Sequence, residues 1–320
     1  MKAAVITSIG NPPELGERPQ PRGGTDDQVL VQVSTAALNP VDLLIASGGH
    51  PIGRPQVPYV PGVEGVGTVV AGGRLRPGTR VRVQVAAGLV DGTLGELVSV
   101  PAEACCEIPD SLPDKAAAAI GVVGVSAYLG LRSARLAEGE SVLVLGAAGG
   151  LGQAVIRAAR AFGAARVIAA GRDARRLAAL DGADEYVTLD HADLREQLSA
   201  PVDVVADPLW GPWAEPAMRC LAPGGRYLNY GSLAGGTSPV DAHLLRAGRL
   251  SIVGFSGASV SAGDAAIAYR AIAELAAAGR FTVATECYEL TDVAAAWTRQ
   301  VDSPGAKILI TPGSLPPRTR

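Results

Sequence analysis

Charge of one sign does not predominate in this 320-residue chain: 28 Lys and Arg stand against 31 Asp and Glu, for a formal net charge of -3. No window is strongly basic, so nothing is available to neutralise a phosphate backbone, and nucleic acid is excluded as a partner. Long apolar runs are also missing. The most extended, residues 116–131, is broken by glycines and Ser126 and bounded by Lys115 and Arg132, too short to cross a bilayer. The opening MKAAVITSIG has no cationic stretch leading into a long apolar segment, and a cytoplasmic protein without a membrane partner is expected. Cysteine is limited to Cys105, Cys106, Cys220 and Cys287, none in a C-x-x-C pair or near a histidine at ligand spacing. No metal site is therefore expected, and the thiols read as small apolar residues in a reducing compartment. Aromatic residues make up only 4% of the chain, so Trp210 and Trp213, either side of Gly211-Pro212, stand out. They fit a cleft wall and plain packing equally well.

Glycine (40) and proline (23) are plentiful and densest in the first third, and no internal repeat is present. Up to about residue 112, valine-rich runs at 29–33, 67–70, 80–85 and 96–100 are bounded by Gly, Pro or Asp and predict strands of an all-β module. From about residue 113 strands and helices alternate. Residues 141–145 predict a strand, followed by a glycine loop. A helix comes next, with apolar residues at Leu151, Ala154, Val155, Ala158 and Phe162, and Gly163 ends it. Further strands are expected at 166–170, 202–206, 225–230 and 250–255, and a helix at 265–278. That alternation is the pattern of a parallel, doubly wound sheet. The last part, strand 281–290, helix 291–300 and strand 307–311, returns to β texture. The expected division is 1–112 as a β-rich domain, 113–280 as the nucleotide domain, 281–313 folding back onto the first, and 314–320 as a fraying tail.

Between the strand at 141–145 and its helix lies Gly146-Ala147-Ala148-Gly149-Gly150-Leu151-Gly152. Small residues let the backbone approach a pyrophosphate, and the helix N-terminus presents unpaired N–H groups to it, so Ala148, Gly149, Gly150, Leu151 and Gly152 are predicted to seat a dinucleotide on a Rossmann fold. In the G-x-G-x-x-G register Ala147 stands at the first glycine, a relaxed version of the motif. A tight strand-to-helix turn also needs glycine for steric reasons alone. About 20 residues on, where a carboxylate would accept the ribose hydroxyls of NAD, the chain reads Ala170-Gly171-Arg172-Asp173-Ala174-Arg175-Arg176. Gly171 offers no carboxylate to repel a 2′-phosphate, while Arg172 and Arg175 offer guanidinium forks shaped for one. One charged hydrogen bond of ~1.5–3 kcal/mol corresponds to roughly 10- to 150-fold preference, so NADPH is the expected cofactor. The competing reading makes the arginines solvated charges at a helix start, with Asp173 pairing one of them.

Taken in order, the MKA start, Leu38-Asn39-Pro40-Val41-Asp42, Val60-Pro61-Gly62-Val63-Glu64-Gly65-Val66-Gly67 and the Ala-Ala-Gly-Gly loop resemble the medium-chain dehydrogenase/reductase superfamily, in its zinc-independent quinone oxidoreductase-like branch. The resemblance implies an α/β fold made of a GroES-like β-rich domain plus a Rossmann doubly wound parallel sheet, with a cleft between them. It also implies a homodimer through an edge of the nucleotide-domain sheet, for which residues 252–255 offer an apolar edge. Zinc-dependent relatives carry Cys and Gly-His-Glu where this sequence has Asn39 and Val63.

By the same resemblance Ser126 stands for a threonine on the nicotinamide side, and Gly231, Ser232, Gly254 and Phe255 fall in loops turned toward the cofactor. Lys307 matches a C-terminal lysine placed with the cofactor residues, and Asn39 and Asp42 shape the substrate mouth. Relatives often read Gly-x-Tyr-Pro where this chain reads Gly48-Gly49-His50-Pro51, and in enoyl-thioester reductases that tyrosine is implicated in catalysis. His50 is thus a candidate proton donor or a loop residue at the rim, and Tyr59 is a second candidate hydroxyl. His191 and His243 have no partners in sequence and read as ordinary. The implied activity is NADPH-dependent reduction of a quinone or an α,β-unsaturated carbonyl. The alternatives are an enoyl-thioester reductase and a non-catalytic NADPH-binding sensor.

Overall fold

Valine-rich runs bounded by glycine, proline and aspartate form strands, because β-branched side chains fit a pleated, half-buried surface. The computed structural model describes residues 1–22, 27–51, 53–72, 74–190 and 193–313; the tail at 314–320 and His191 lie outside the described residues. The first third runs β1 (Lys2–Val5), β2 (Glu14–Glu17), β3 (Gln28–Leu38), α1 (Pro40–Ala46), β4 (Glu64–Ala71), β5 (Arg80–Gln84), β6 (Leu97–Pro101), β7 (Cys105–Glu107) and α2 (Asp114–Ala119). The middle continues with α3 (Gly121–Ser133), β8 (Ser141–Leu145), α4 (Gly150–Ala161), β9 (Arg166–Gly171), α5 (Ala174–Ala178), β10 (Glu185–Thr188) and β11 (Val202–Asp207). It closes with α6 (Ala214–Met218), β12 (Leu221–Asn229), α7 (Ala242–Gly248) and β13 (Ser251–Gly254). Last come α8 (Ala262–Ala277), β14 (Thr285–Glu289), α9 (Val293–Val301) and β15 (Lys307–Thr311).

In the first unit β14, β15, β3, β4, β5 and β7 lie side by side in that order, and β6 also pairs with β3. The spine is β3. One of its edges carries β4, while the other is shared: β6 takes the N-terminal half (Gln28 opposite Pro101, Gln32 opposite Leu97) and β15 the C-terminal half (Ile308 opposite Leu38, Ile310 opposite Ala36). Val29, Val31, Val33, Val69, Val81 and Val83 from the early strands share one core with Ile308, Ile310 and Trp297 from the end of the chain.

The chain divides differently from the expected boundaries at 112 and 280. The first unit holds Met1–Val122, Ala262–Gly279 and the segment from Val283 on; the second holds Val123–Ser261 with Arg280–Thr282. Side-chain contacts explain the reassignment of α2 and α8. The hydroxyl of Tyr269 on α8 donates to the Ala117 carbonyl on α2 at 3.0 Å, its ring lies under the Arg82 guanidinium at 5.2 Å, and Cys106 Sγ reaches the Ala266 carbonyl at 3.9 Å. Helical periodicity shows that a face is buried, not which sheet buries it. The expected strand at 281–290 is also shorter, Thr285–Glu289.

In the second unit the strands run β10-β9-β8-β11-β12-β13, every neighbouring pair parallel. Counted from its own first strand this is the order 3-2-1-4-5-6 of a doubly wound nucleotide-binding sheet, which reverses between β8 and β11. All five residues of β8 are buried, as a strand covered on both faces requires.

One buried ionic cluster ties the first unit together. Glu64, the first residue of β4, is 1% exposed. Its Oε1 accepts hydrogen bonds from Lys307 Nζ at 2.8 Å and Asn39 Nδ2 at 3.0 Å, while its Oε2 accepts from the Val122 N–H at 2.5 Å and lies 3.6 Å from the Arg82 guanidinium. Lys307 Nζ also bonds to Asn39 Oδ1. Burial alone would raise the Glu64 carboxyl, but Lys307 and Arg82, with the hydrogen bonds from Lys307 and Asn39, outweigh it and hold the group below the ordinary carboxylate range. Gly121 is demanded by this cluster, because a Cβ there would come within 1.9 Å of Glu64 Oε2. Asp42 lies beside it, 1% exposed, and accepts the Asn39 N–H at 2.8 Å and the Val63 N–H at 2.9 Å. Burial pushes its carboxyl up to about 7 in spite of those bonds and of Lys307.

Of the residues expected at a substrate mouth, Asn39 and Asp42 have their polar atoms bonded inside the unit by the cap of α1, the Val63 N–H, Glu64 and Lys307. Lys307, expected among the cofactor residues, is 3% exposed and gives its ammonium to Glu64 and Asn39.

Lys307→Met leaves the Glu64 carboxylate buried without its main counter-charge and is expected to cost about 3–5 kcal/mol in urea denaturation. Adding Glu64→Gln should restore most of that loss, whereas strictly additive effects would show that the two groups do not interact. For Asp42 the raised pKa means that its stabilising contribution is complete below about pH 4 and is lost as the pH rises through about 7. Wild-type stability measured relative to Asp42→Asn should therefore fall between about pH 4 and pH 7.5, and a rise over that range would contradict the assignment.

Candidate active site

Because every strand of the second unit runs parallel, their C-terminal ends share one edge, and the loops leaving them converge there. After β8 the chain turns at Gly146, φ +58°, and is held by the Ala147 N–H to the Ala170 carbonyl of β9 (3.0 Å) and the Gly149 N–H to the Gly146 carbonyl (2.9 Å). Gly149 precedes α4, and Gly152 lets that helix pack onto the turn, since a Cβ there would lie 2.4 Å from the Gly146 carbonyl oxygen. Above Gly150 the space is open: a Cβ would meet only Val123 Cγ1, at 3.9 Å. The turn is further fixed by Gln153 Nε2 donating to the Ala148 carbonyl at 3.0 Å. Ala148, Gly149, Gly150, Leu151 and Gly152 thus form one turn whose first helical N–H groups lack intrahelical acceptors, at the point where the strand order reverses. Backbone donors, side-chain-free space and position together fit a dinucleotide pyrophosphate.

At the end of β9, Gly171 packs on Leu177, Cδ2 lying 3.1 Å from where its Cβ would be. Asp173 caps α5, its Oδ1 accepting the N–H groups of Arg175 (3.0 Å) and Arg176 (3.1 Å), and its Oδ2 lies 3.4 Å from the Arg176 guanidinium. Arg172 and Arg175 are exposed, and among the described residues neither guanidinium pairs with a carboxylate. The acid between the arginines therefore takes Arg176 and leaves the two predicted phosphate ligands available.

Residues expected on the nicotinamide side lie across the same edge. Ser126 Oγ, on α3, is 3.6 Å from the Cβ position of Gly257. Phe255 follows β13 and stands edge-on to Tyr230 at 5.6 Å, and the Tyr230 hydroxyl donates to the Ala127 carbonyl at 3.2 Å. Gly231, next to Tyr230, has its Cβ position 3.2 Å from the Pro208 carbonyl oxygen. Ser126, Gly231 and Phe255 are therefore brought together, with Tyr230 as the residue that joins them. Ser232 is exposed on the loop after β12, and Gly254 is exposed at the end of β13. Tyr230 was not foreseen. The signal available was Gly130, four residues past Ser126, where a Cβ would come within 2.3 Å of the Tyr230 ring.

The catalytic candidates belong to the first unit. His50 is half-buried in the turn after α1, its carbonyl accepting the Gly53 N–H at 3.0 Å. Tyr59 is 4% exposed, its hydroxyl has no hydrogen-bond partner among the described residues, and burial, with the nearby Asp42 charge, pushes it up to about 12. It lines a shallow depression with Gln56, Val57, Pro58 and the loop at 88–91. His243 is exposed in the first turn of α7, and its N–H donates to Asp241. Among the described residues no group of three or more His, Cys, Asp and Glu is placed to hold a metal ion, and no helix is long and apolar enough to cross a membrane.

Residues 25–110 match the family model of the alcohol dehydrogenase GroES-like domain, and residues 150–281 that of zinc-binding dehydrogenase. Human quinone oxidoreductase is 30% identical over 270 residues, 79% of this chain and 79% of the human protein. A phenolphthiocerol/phthiocerol polyketide synthase of Mycobacterium tuberculosis is 36% identical over 244 residues, 72% of this chain, but the match spans only 11% of that much longer protein. Among solved structures, the quinone oxidoreductase of Thermus thermophilus, described together with its complex with NADPH, superposes with a TM-score of 0.83 at 29% identity, covering 97% of this chain and 100% of the other. These matches agree with the strand order and the glycine turn, and the chain belongs to the medium-chain dehydrogenase/reductase superfamily of oxidoreductases, in its quinone oxidoreductase-like branch.

Proposed function

We propose that the protein is an NADPH-dependent oxidoreductase that works without zinc and reduces quinones or α,β-unsaturated carbonyls. The observation that carries the choice of cofactor is the end of β9: Gly171 presents no carboxylate, and the guanidinium groups of Arg172 and Arg175 are exposed with no acidic partner among the described residues. A 2′-phosphate suits that fork, and the N–H groups at the start of α4 suit the pyrophosphate. When bound, the reduced nicotinamide supplies a hydride to an electrophilic carbon. Ser126 and Phe255 then wall the nicotinamide end, and His50 or water returns a proton to the substrate α-carbon. Zinc-free operation is supported by Asn39 and Val63, neither of which ligates zinc as the cysteine and histidine of zinc-dependent relatives do. A homodimer through β13 is part of the same reading: β13 is the outer strand of its sheet and Ile252 on it is 43% exposed.

The resemblance to a polyketide synthase favours a second reading, reduction of an enoyl thioester. NADPH oxidation followed with a quinone, a straight-chain enone and an enoyl thioester separates the two by the ratio of kcat/KM. NADPH bound without turnover on any of the three would instead mark a sensor. With the best acceptor, NADPH is expected to be preferred over NADH by at least ~10-fold, and Arg172→Ala with Arg175→Ala should remove most of that preference. Equal use of the two nucleotides by the wild type would overturn the arginine assignment. His50→Ala should lower kcat by ~100-fold if His50 donates the proton, and an unchanged rate would assign that proton to water.

A further inference from the structure

Backbone conformation singles out Trp210, three residues beyond the end of β11. Its φ of +55° and ψ of -146° form a combination that a bulky side chain adopts only under constraint, whereas glycine accepts it freely. The constraint is visible. Asp207, fully buried at the end of β11, accepts the Leu209 N–H at 2.6 Å on one oxygen and the Trp210 N–H at 2.9 Å on the other, and the second oxygen also takes the Tyr227 hydroxyl at 2.5 Å. From the other side the Ala234 N–H donates to the Leu209 carbonyl at 2.7 Å and the Leu233 N–H to the Pro208 carbonyl at 3.2 Å, and Trp210 pairs with Gly235 in an isolated bridge.

The loop fixed in this way sits against the nucleotide turn. Pro208 Cγ and Leu209 Cδ2 lie 3.4 and 3.3 Å from the Cβ position of Gly146. The ring of Trp210 meets Tyr227 edge-on at 5.7 Å and stays only half-buried. Part of the indole packs on the apolar core that includes Tyr227, and the part left exposed belongs to the loop that follows β11 at the C-terminal edge of the sheet. Strain of this kind persists where the surroundings over-determine it, and it clusters where a ligand is gripped.

We infer that Trp210 contacts the bound dinucleotide, and that Asp207 and Tyr227 are positioning residues that hold it in place. The inference rests on the dinucleotide-binding reading above. Its test is the affinity for NADPH by titration calorimetry, with thermal melts of the nucleotide-free proteins alongside, for wild type, Trp210→Phe, Trp210→Ala, Trp210→Gly and Asp207→Asn. Trp210→Ala and Trp210→Gly should each bind about 10-fold more weakly, and Trp210→Phe should stay within about two-fold of wild type. Asp207→Asn should bind about five-fold more weakly, and Tyr227→Phe, which leaves the carboxylate in place, replaces it if the Asn variant does not fold. Trp210→Gly should melt no lower than Trp210→Ala, because glycine tolerates this φ and alanine does not. Unchanged affinity in the Ala and Gly variants, or a loss that Phe fails to rescue, would overturn the contact. A Gly variant melting well below the Ala variant would overturn the clamp. A wild type that binds neither NADPH nor NADH would overturn the proposed function itself, and this inference with it.

Discussion

A single buried carboxylate organises the first unit. Glu64 meets an ammonium from a strand that begins 243 residues later, an amide from the end of β3, a guanidinium from β5 and a backbone N–H at the start of α3. An ion buried this deeply is tolerated only when its lone pairs are filled, and here each filler comes from a different segment. The cluster therefore works as a registration pin. It fixes where β15 lies beside β3, how the chain leaves β3 into α1, and where α3 starts. The first segment of motif, Asn39 to Asp42, and the second, around Glu64, are two sides of this one contact.

At the other end of the functional architecture the organising constraint is parallelism. Six parallel strands deliver every loop that leaves a strand's C-terminal end to the same edge, so a glycine turn, a strained tryptophan loop and a tyrosine–phenylalanine pair become neighbours without any sequence proximity. Small residues at Gly130, Gly146 and Gly152 let backbone and rings approach closely there. The edge has the features of a dinucleotide site for reasons of strand direction first and residue chemistry second.

How much of this was legible in the sequence depended on the range of each interaction. The glycine turn and its helix could be read because strand, turn and amphipathic face are local and adjoining. At the end of β9 the residue types were legible but their pairing was not: Asp173 turns to Arg176 rather than to Arg172 or Arg175. The unit to which α2 and α8 belong was not legible, since an apolar stripe does not name its partner. The cluster that Asn39 and Lys307 form with Glu64, with Asp42 beside it, was not legible, because it depends on a pairing of strands from opposite ends of the chain. Tyr230 went unnoticed because its hydroxyl acts on a helix far away in sequence, and Asp207 because a carboxylate that fixes the next turn and takes a tyrosine hydroxyl belongs to no repeating pattern.

The position of β15 beside the C-terminal half of β3 has a consequence for how the molecule comes into being. During synthesis the second unit, nearly continuous from Val123 to Ser261, has all its strands once that stretch has emerged, whereas the β-rich unit waits for residues 307–311 before its central strand is flanked on both sides. Until then half of one edge of β3 offers unpaired backbone groups to any passing strand. The order of assembly thus runs from the middle of the polypeptide outward, and the last described strand decides when the earliest ones become safe from mispairing.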